Sequence, residues 1–299
     1  MKEDPAVGGV QETPMGPIVL DYLVFDGWVR GQLLTEFLGR FPESGELVTF
    51  RTSDLNGDPR LRCEYVILRI LERYKIAPKP LFVSPGVRGY AFFARYLVTE
   101  ATGYSLAAIY AQTDTGSLIE LFISILGDLE TIHSLGICHG DLSEFAIKYN
   151  QDGTRMILTG FDFATFLASN KIKLYPQDYM TPFKSPHELA GNVPYKRRDD
   201  MWRWIEMIAR IVEGHEYMQR MADATNGYET ESLIAHKGSA RMFRHSQRFA
   251  HCRKSTRNRM IRNLNAVHRL IRSLNLDDEP QYALYRELLM AILEDLFNC

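Results

Sequence analysis

Apolar positions change their period along the chain. Between residues 18 and 51, short apolar runs alternate with glycines and polar residues, the two-residue repeat of strands in a small sheet. Pro78, Pro80 and Pro85 bracket Leu81-Phe82-Val83, which reads as a strand, and Ala91-Phe92-Phe93 through Val98 reads as another. A helix is expected before them, from about Pro59 to Tyr74. Asp58 can cap it, Pro59 suits its first position, and Leu61, Tyr65, Leu68 and Leu71 recur at helical spacing to give one buried face. From Thr99 onward the helical period dominates. Leu118, Leu121, Phe122, Ile125, Leu126, Leu129 and Ile132 keep one stripe within a helix expected over Leu118 to Leu135, and Met156-Ile157-Leu158-Thr159 is an apolar run suited to a buried strand. No internal repeat interrupts this order.

Composition adds a core and removes a membrane. A chain of 299 residues, 45% hydrophobic and with net charge −2, can bury a substantial interior, and no segment suggests a membrane span. Met1 to Gly16 is rich in Pro, Gly and acidic residues and lacks an apolar signal core, so residues 1–16 are expected to form a flexible tail. Cys63, Cys138, Cys252 and Cys299 are scattered without a CxxC pair, which predicts reduced thiols in a cytoplasmic or nuclear compartment. Between Glu231 and Asp277 there is no acidic residue, yet this stretch holds Lys237, Arg241, Arg244, Arg248, Arg253, Lys254, Arg257, Arg259, Arg262, Arg269 and Arg272. The stretch 237–272 suits acidic or phosphorylated protein segments, or it is a solvated face. It has no aromatic-interleaved platform for single-stranded nucleic acid, and His245, His251 and Cys252 within it match no zinc spacing.

The candidate chemistry lies in residues 137–166, ICHGDLSEFAIKYNQDGTRMILTGFDFATF. These residues resemble the catalytic loop and metal loop of a protein kinase. His139-Gly140-Asp141 stands in the place of the kinase HRD motif, and Gly160-Phe161-Asp162-Phe163-Ala164 follows where a kinase reads DFGFA. Thr181 to Glu188 resembles the end of an activation segment. Tyr195-Lys196-Arg197-Arg198-Asp199-Asp200-Met201-Trp202 resembles the start of the next helix, in which an Asp caps the catalytic loop. Ile271-Arg272-Ser273-Leu274 with Asp277 to Tyr282 is similar to the closing helices of the casein kinase 1 group, nearest the tau-tubulin and vaccinia-related kinases and their nematode relatives. Phe145-Ala146-Ile147 and Gly103-Tyr104-Ser105-Leu106 fit the same group. The resemblance spans roughly residues 45–299. It implies a bilobal α+β fold with a small β-rich N-lobe over 17–98 and a larger, mainly helical C-lobe over 99–299.

Phosphoryl transfer of the kinase type needs an Asp as base, an Asn and a second Asp on magnesium, and a Lys on the ATP phosphates. The resemblance makes Asp141, with His139 beside it, the base position. The other places have changed. In a loop that reads HGDLSEFAI where the family reads HRDIKPSNFAI, Glu144 stands in the Asn place if the loop is two residues shorter and Ala146 if it is aligned without the deletion; Gly140 replaces the HRD Arg, and Gly160 replaces the metal Asp. Asp162 lies two residues further on, about 6–7 Å away along an extended segment. In the N-lobe, Leu47-Val48-Thr49-Phe50-Arg51 resembles the strand ending in the ATP-binding Lys, so Arg51 replaces it, with Glu64 as its expected partner and Glu100 at the hinge. A planar guanidinium is not equivalent to an ammonium in a fitted pocket. Gly27-Trp28-Val29-Arg30-Gly31 lacks the GxGxxG spacing of a phosphate loop and carries a bulky Trp.

Two functional readings follow. In the first, the chain is a pseudokinase with no required cofactor, at most weak ATP and magnesium binding, and a role as scaffold or allosteric partner of other proteins. In the second, it is an active serine/threonine kinase with Asp141 as base and Asp162 or Glu144 on the metal. HGDL also resembles small-molecule phosphotransferases, but the activation-segment end and the Arg-Arg-Asp-Asp helix start favour the protein-kinase branch.

Overall fold

The computed structural model describes residues 9–29, 32–53, 59–85, 94–168, 185–190, 194–214, 217, 242–244 and 246–299. The chain divides into two compact units, Met1–Tyr104 with Ile147–Ala164, and Ser105–Ala146 with Thr165–Cys299. The α+β, kinase-like class expected from the sequence is the one observed.

The first unit is built on a six-stranded antiparallel sheet. Its strands are β1 (Val10–Thr13), β2 (Gly16–Val29), β3 (Gln32–Arg40), β4 (Leu47–Ser53), β5 (Pro80–Val83) and β6 (Tyr96–Glu100), in the order β1-β2-β3-β4-β6-β5. Ile18, Leu20, Phe37, Phe41, Val48, Phe50 and Val98 form its buried apolar cluster. Side chains alternate across a sheet, so with Phe37 opposite Phe50 in that cluster, the neighbouring cross-strand pair Glu36 and Arg51 points to the other face. Helix α1 (Pro59–Leu71) buries Leu61, Glu64, Ile67, Leu68 and Leu71, and a 3-10 turn, Glu72–Tyr74, follows it. The face differs from the expected one: Tyr65 is only half-buried, and a carboxylate, Glu64, occupies its centre.

A tail ending at Gly16 is corrected by β1. Val10 to Thr13 pairs with Val19 to Gly16, so the sheet's edge captures these residues despite their polarity. Residues 1–8 lie outside the described residues, as do Asp58, Arg30, Gly31, Ala91 to Phe93, Thr181 to Lys184, Lys237, Arg241 and His245. The hairpin β8 (Ile147–Tyr149) with β9 (Met156–Leu158) belongs to the first unit, so a single cut at residue 98 does not divide the chain. Backbone bonds tie it there: Gly103 N donates to Tyr149 O (2.9 Å), Tyr149 N to Tyr104 O (3.1 Å) and Leu158 N to Ile76 O (2.9 Å).

The second unit holds α2 (Leu106–Ile109), α3 (Thr115–Ser134), α4 (Pro186–Ala190), α5 (Arg197–Glu213), α6 (Lys254–Arg272) and α7 (Tyr282–Phe297). It also has the short pair β7 (Ile137–Cys138) and β10 (Thr165–Phe166). Asp114 caps α3 by accepting from Ser117 N at 2.9 Å. The stripe read from the sequence is its buried side, apart from the half-buried Leu121 and with Ile119 added. Helix α5 is buried from Arg198 to Glu213. Helices α6 and α7 pack together with Cys252 before the first joined to Cys299 after the second by a disulfide. The expectation of four reduced thiols is corrected for that pair, because helix packing joins cysteines that are 47 residues apart in sequence. Cys63 and Cys138 are not disulfide-bonded.

Candidate functional site

In the first unit the charged groups gather around Arg51. From β4 its Nε lies 3.2 Å from Glu36 Oε2, its Nη1 is paired with Glu64 of α1, and its Nη2 is 3.8 Å from Asp162 Oδ1. Lys148 of β8 closes the ring, its Nζ 2.7 Å from Glu36 Oε1. These side chains are largely shielded from water, none of the five exceeding 17% exposure. Phe161 N donates to Glu64 Oε1 at 3.3 Å.

Among the described residues of this cluster, Glu36, Glu64 and Asp162 face Arg51 and Lys148, and Glu64 is the acid whose pKa rises. Burial raises its pKa to about 7, with Arg51 opposing the rise and Asp162 and Glu36 adding to it. Glu36 goes the other way: burial alone would raise it, but Lys148 and Arg51 together hold it below the ordinary value. The carboxylate at the β4–α1 pair is therefore poised to protonate near neutrality while its neighbour stays charged.

Asp162 joins the cluster because the segment is not extended. Gly160 takes the left-handed conformation (φ +75°), and Phe161–Phe163 forms a 3-10 turn with both phenylalanines buried. A 3-10 rise of about 2 Å per residue shortens the two-residue offset to about 4 Å. The extended-chain estimate is thereby corrected. Glu100 closes β6 with its Oε2 accepting from Lys79 N at 3.3 Å. Gly27, Trp28 and Val29 lie within β2, paired with Leu34, Leu33 and Gln32.

In the second unit the loop after β7 is fixed by Asp200 of α5. Its Oδ2 accepts from His139 N (2.7 Å) and His133 Nε2 (2.9 Å), and its Oδ1 from Gly140 N (3.0 Å) and Tyr195 OH (2.6 Å). A carboxylate accepts only, so His133 carries a proton on Nε2, and its Nδ1 is hydrogen-bonded to the hydroxyl of Tyr282. Burial alone would raise the pKa of Asp200, yet His133, His139 and Tyr195 hold it far below the ordinary carboxylate range. The turn also needs Gly140, whose φ of +86° disfavours a side chain at the position where the kinase HRD motif carries Arg. His133, Cys138 and Asp200 place ligand-type atoms within 4.8 Å of one another. Both Asp200 oxygens and both His133 nitrogens are already hydrogen-bonded, so this trio is a bracing network rather than a metal site.

The same loop presents Asp141 and Glu144 to two arginines of α5. Asp141 Oδ1 is 2.8 Å from Arg203 Nη1, and Arg203 also grips Glu188 of α4 through Nη2 (3.0 Å) and Nε (3.3 Å). Glu144 Oε2 is 2.7 Å from Arg210 Nη2. His139 is fully buried, its Nδ1 accepting from Asp141 N at 3.3 Å.

Comparison with known proteins finds a partial match. Serine/threonine-protein kinase pak-2 of Caenorhabditis elegans is 31% identical over 90 residues, 30% of this chain and 17% of that protein. Fold and matched segment support the protein kinase superfamily. No family model matches the chain, and the match spans less than a fifth of that relative's length.

Among the residues singled out from sequence, Arg51, Glu64 and Asp162 converge in the first unit, and His139, Asp141 and Glu144 share one loop in the second. Glu36, Lys148, His133, Tyr282, Arg203 and Arg210 were not foreseen. A signal existed for the last two: within the otherwise apolar stretch 201–212 of α5, Arg203, Glu206 and Arg210 recur at i, i+3, i+7 and form one polar line.

Proposed function

We propose that the chain is a pseudokinase, a kinase-fold protein that does not transfer phosphate and serves as a scaffold or allosteric partner for other proteins. One observation carries this reading. Every carboxylate at or near a base or metal position is held by an arginine: Asp141 by Arg203, Glu144 by Arg210 and Asp162 by Arg51. Magnesium wants oxygen ligands at about 2.0–2.1 Å, and each of these acids would have to leave a guanidinium to supply one. The residues present therefore do not fit the metal. Nor does Arg51 suit an ATP phosphate, since Glu36, Glu64 and Asp162 surround it and a phosphate would meet their charge. No cofactor is required on this reading, and the casein kinase 1 group remains the nearest branch by the motifs of the second unit.

A second reading, an active serine/threonine kinase, draws on the loop of Asp141, which Asp200 braces through two backbone amides. A phosphotransfer assay with magnesium or manganese and a generic protein acceptor separates the two, with Asp141→Asn as control. The pseudokinase reading expects no turnover above that control. Robust transfer abolished by the substitution would overturn it.

A further inference from the structure

We propose that the outward face of α6 is a docking surface for a phosphorylated, extended peptide segment, with Arg269 and Arg272 as the phosphate clamp and Arg262 as a second anion contact. The proposal deepens the scaffold reading and rests on it.

Helix α6 buries Met260, Leu264, Val267, His268 and Ile271, which leaves Ser255, Asn258, Arg259, Arg262, Arg269, Arg272 and Ser273 exposed. No acid lies within the helix, and among the described residues only one of these arginines is compensated: Arg259 forks onto Asp295 of α7, with Nε 2.7 Å from Oδ2. Among the described residues, Arg262, Arg269 and Arg272 have no ion pair. The acids that follow are partly occupied, since Asp277 lies 3.5 Å from Lys196 and Asp278 accepts from Asn275. Four buried or half-buried arginines elsewhere, Arg51, Arg203, Arg210 and Arg286, are each matched with a carboxylate. The stripe on α6 is thus a local excess of positive charge on a chain of net charge −2.

Three features select a phosphopeptide. The cations are guanidinium groups, whose planar fork matches phosphate oxygens. Arg269 and Arg272 are one turn apart, about 5–6 Å between neighbouring side-chain roots, close enough to share one phosphate. Arg262 and Arg269 lie two turns apart on the same face, about 10.5 Å along the axis, which an extended peptide spans in about three residues. The exposed face also lacks aromatic and long aliphatic side chains. It therefore offers neither a stacking platform for bases nor an apolar wedge for lipid.

The test is fluorescence anisotropy on the full chain with a labelled nine-residue peptide carrying phosphoserine and, three residues away, glutamate. Saturable binding is expected, weakened about tenfold when the phosphate is absent and by at least about tenfold in Arg269→Glu/Arg272→Glu. The lysine pair Arg269→Lys/Arg272→Lys, which keeps charge and fold but loses the fork, should fall between. Equal binding of the phosphorylated and plain peptides, or indifference to both double variants, would overturn the proposal. So would tighter arginine-dependent capture by phosphatidylserine vesicles or by a single-stranded RNA oligomer. Phosphotransfer by the same preparation would sink the pseudokinase reading and leave this binding result standing. Loss of the arginine dependence would remove the surface and leave that reading untouched.

Discussion

Replacing Asp200 by Asn tests how the loop carrying Asp141 is held. The carboxylate is fully buried and accepts four hydrogen bonds, two on each oxygen. Asn keeps one oxygen and presents an NH2 group to two donors, so two charge-assisted bonds are lost. At roughly 1.5–3 kcal/mol each, the loss is about 3–6 kcal/mol, which overlaps the roughly 3–5 kcal/mol found when a buried charge pair is broken. The sign with pH follows from the depressed pKa of Asp200, which its hydrogen-bond donors hold below the ordinary value of 3.8. Its stabilising contribution is fully present above 3.8 and is lost as pH falls through the native value. Urea unfolding followed by the fluorescence of Trp202 and Trp204, both buried on α5, should show a gap between wild type and Asp200→Asn that is constant from about pH 5 to 8 and narrows below about pH 4. Tyr195→Phe, which removes one donor, should cost about 1 kcal/mol. An Asn variant within about 1 kcal/mol of wild type, or a gap that closes at neutral pH, would refute the reasoning.

Three further outcomes are expected. Glu64 has a pKa raised from 4.5 to about 7, so the native state keeps a proton that the unfolded chain releases across that window. The stability of wild type relative to Glu64→Gln should fall between those pH values by no more than about 3 kcal/mol, less for the coupling to Arg51, and level off above them; a pH-independent difference in urea midpoints would contradict this. Arg203→Ala strands the nearly buried Glu188 and frees Asp141, which should cost about 3–5 kcal/mol in the same unfolding assay, whereas a loss under 1 kcal/mol would mean that the pairs are loose. Reduction of Cys252–Cys299, or Cys299→Ser, opens a closed loop spanning both α6 and α7 and should lower stability by about 2–4 kcal/mol. A thermal midpoint indifferent to reductant would show that the bond is not formed in solution.

The elements were legible where one period ran long enough. The α3 stripe emerged from spacing, the α1 start from the fit of Pro59 to a first helical position, and the start of α5 from the resemblance carried by Arg-Arg-Asp-Asp. Strand β1 was hidden because its residues alternate between half-buried and exposed, without an apolar signal, and are held by edge pairing instead. The disulfide was hidden because no local pattern links Cys252 to Cys299. For the candidate site, the sequence supplied the carboxylates but not their partners. Position in a motif says which acid stands where; whether an arginine from α5 or β4 reaches it depends on packing between distant segments. Glu36 is the plainest case: it has no motif, and only its register opposite Arg51 brings it to the cluster.

Asp162 and Glu144, the acids nearest the magnesium positions of a kinase, are paired with Arg51 and Arg210. Titration with 1 mM ATP, with and without magnesium, followed by thermal unfolding tests that pairing most directly. A site with a Kd of about 10 µM would add about 2.7 kcal/mol at that concentration, a shift of several degrees. No magnesium-dependent shift is expected. A magnesium-dependent rise of several degrees that disappears in Asp162→Ala would contradict it.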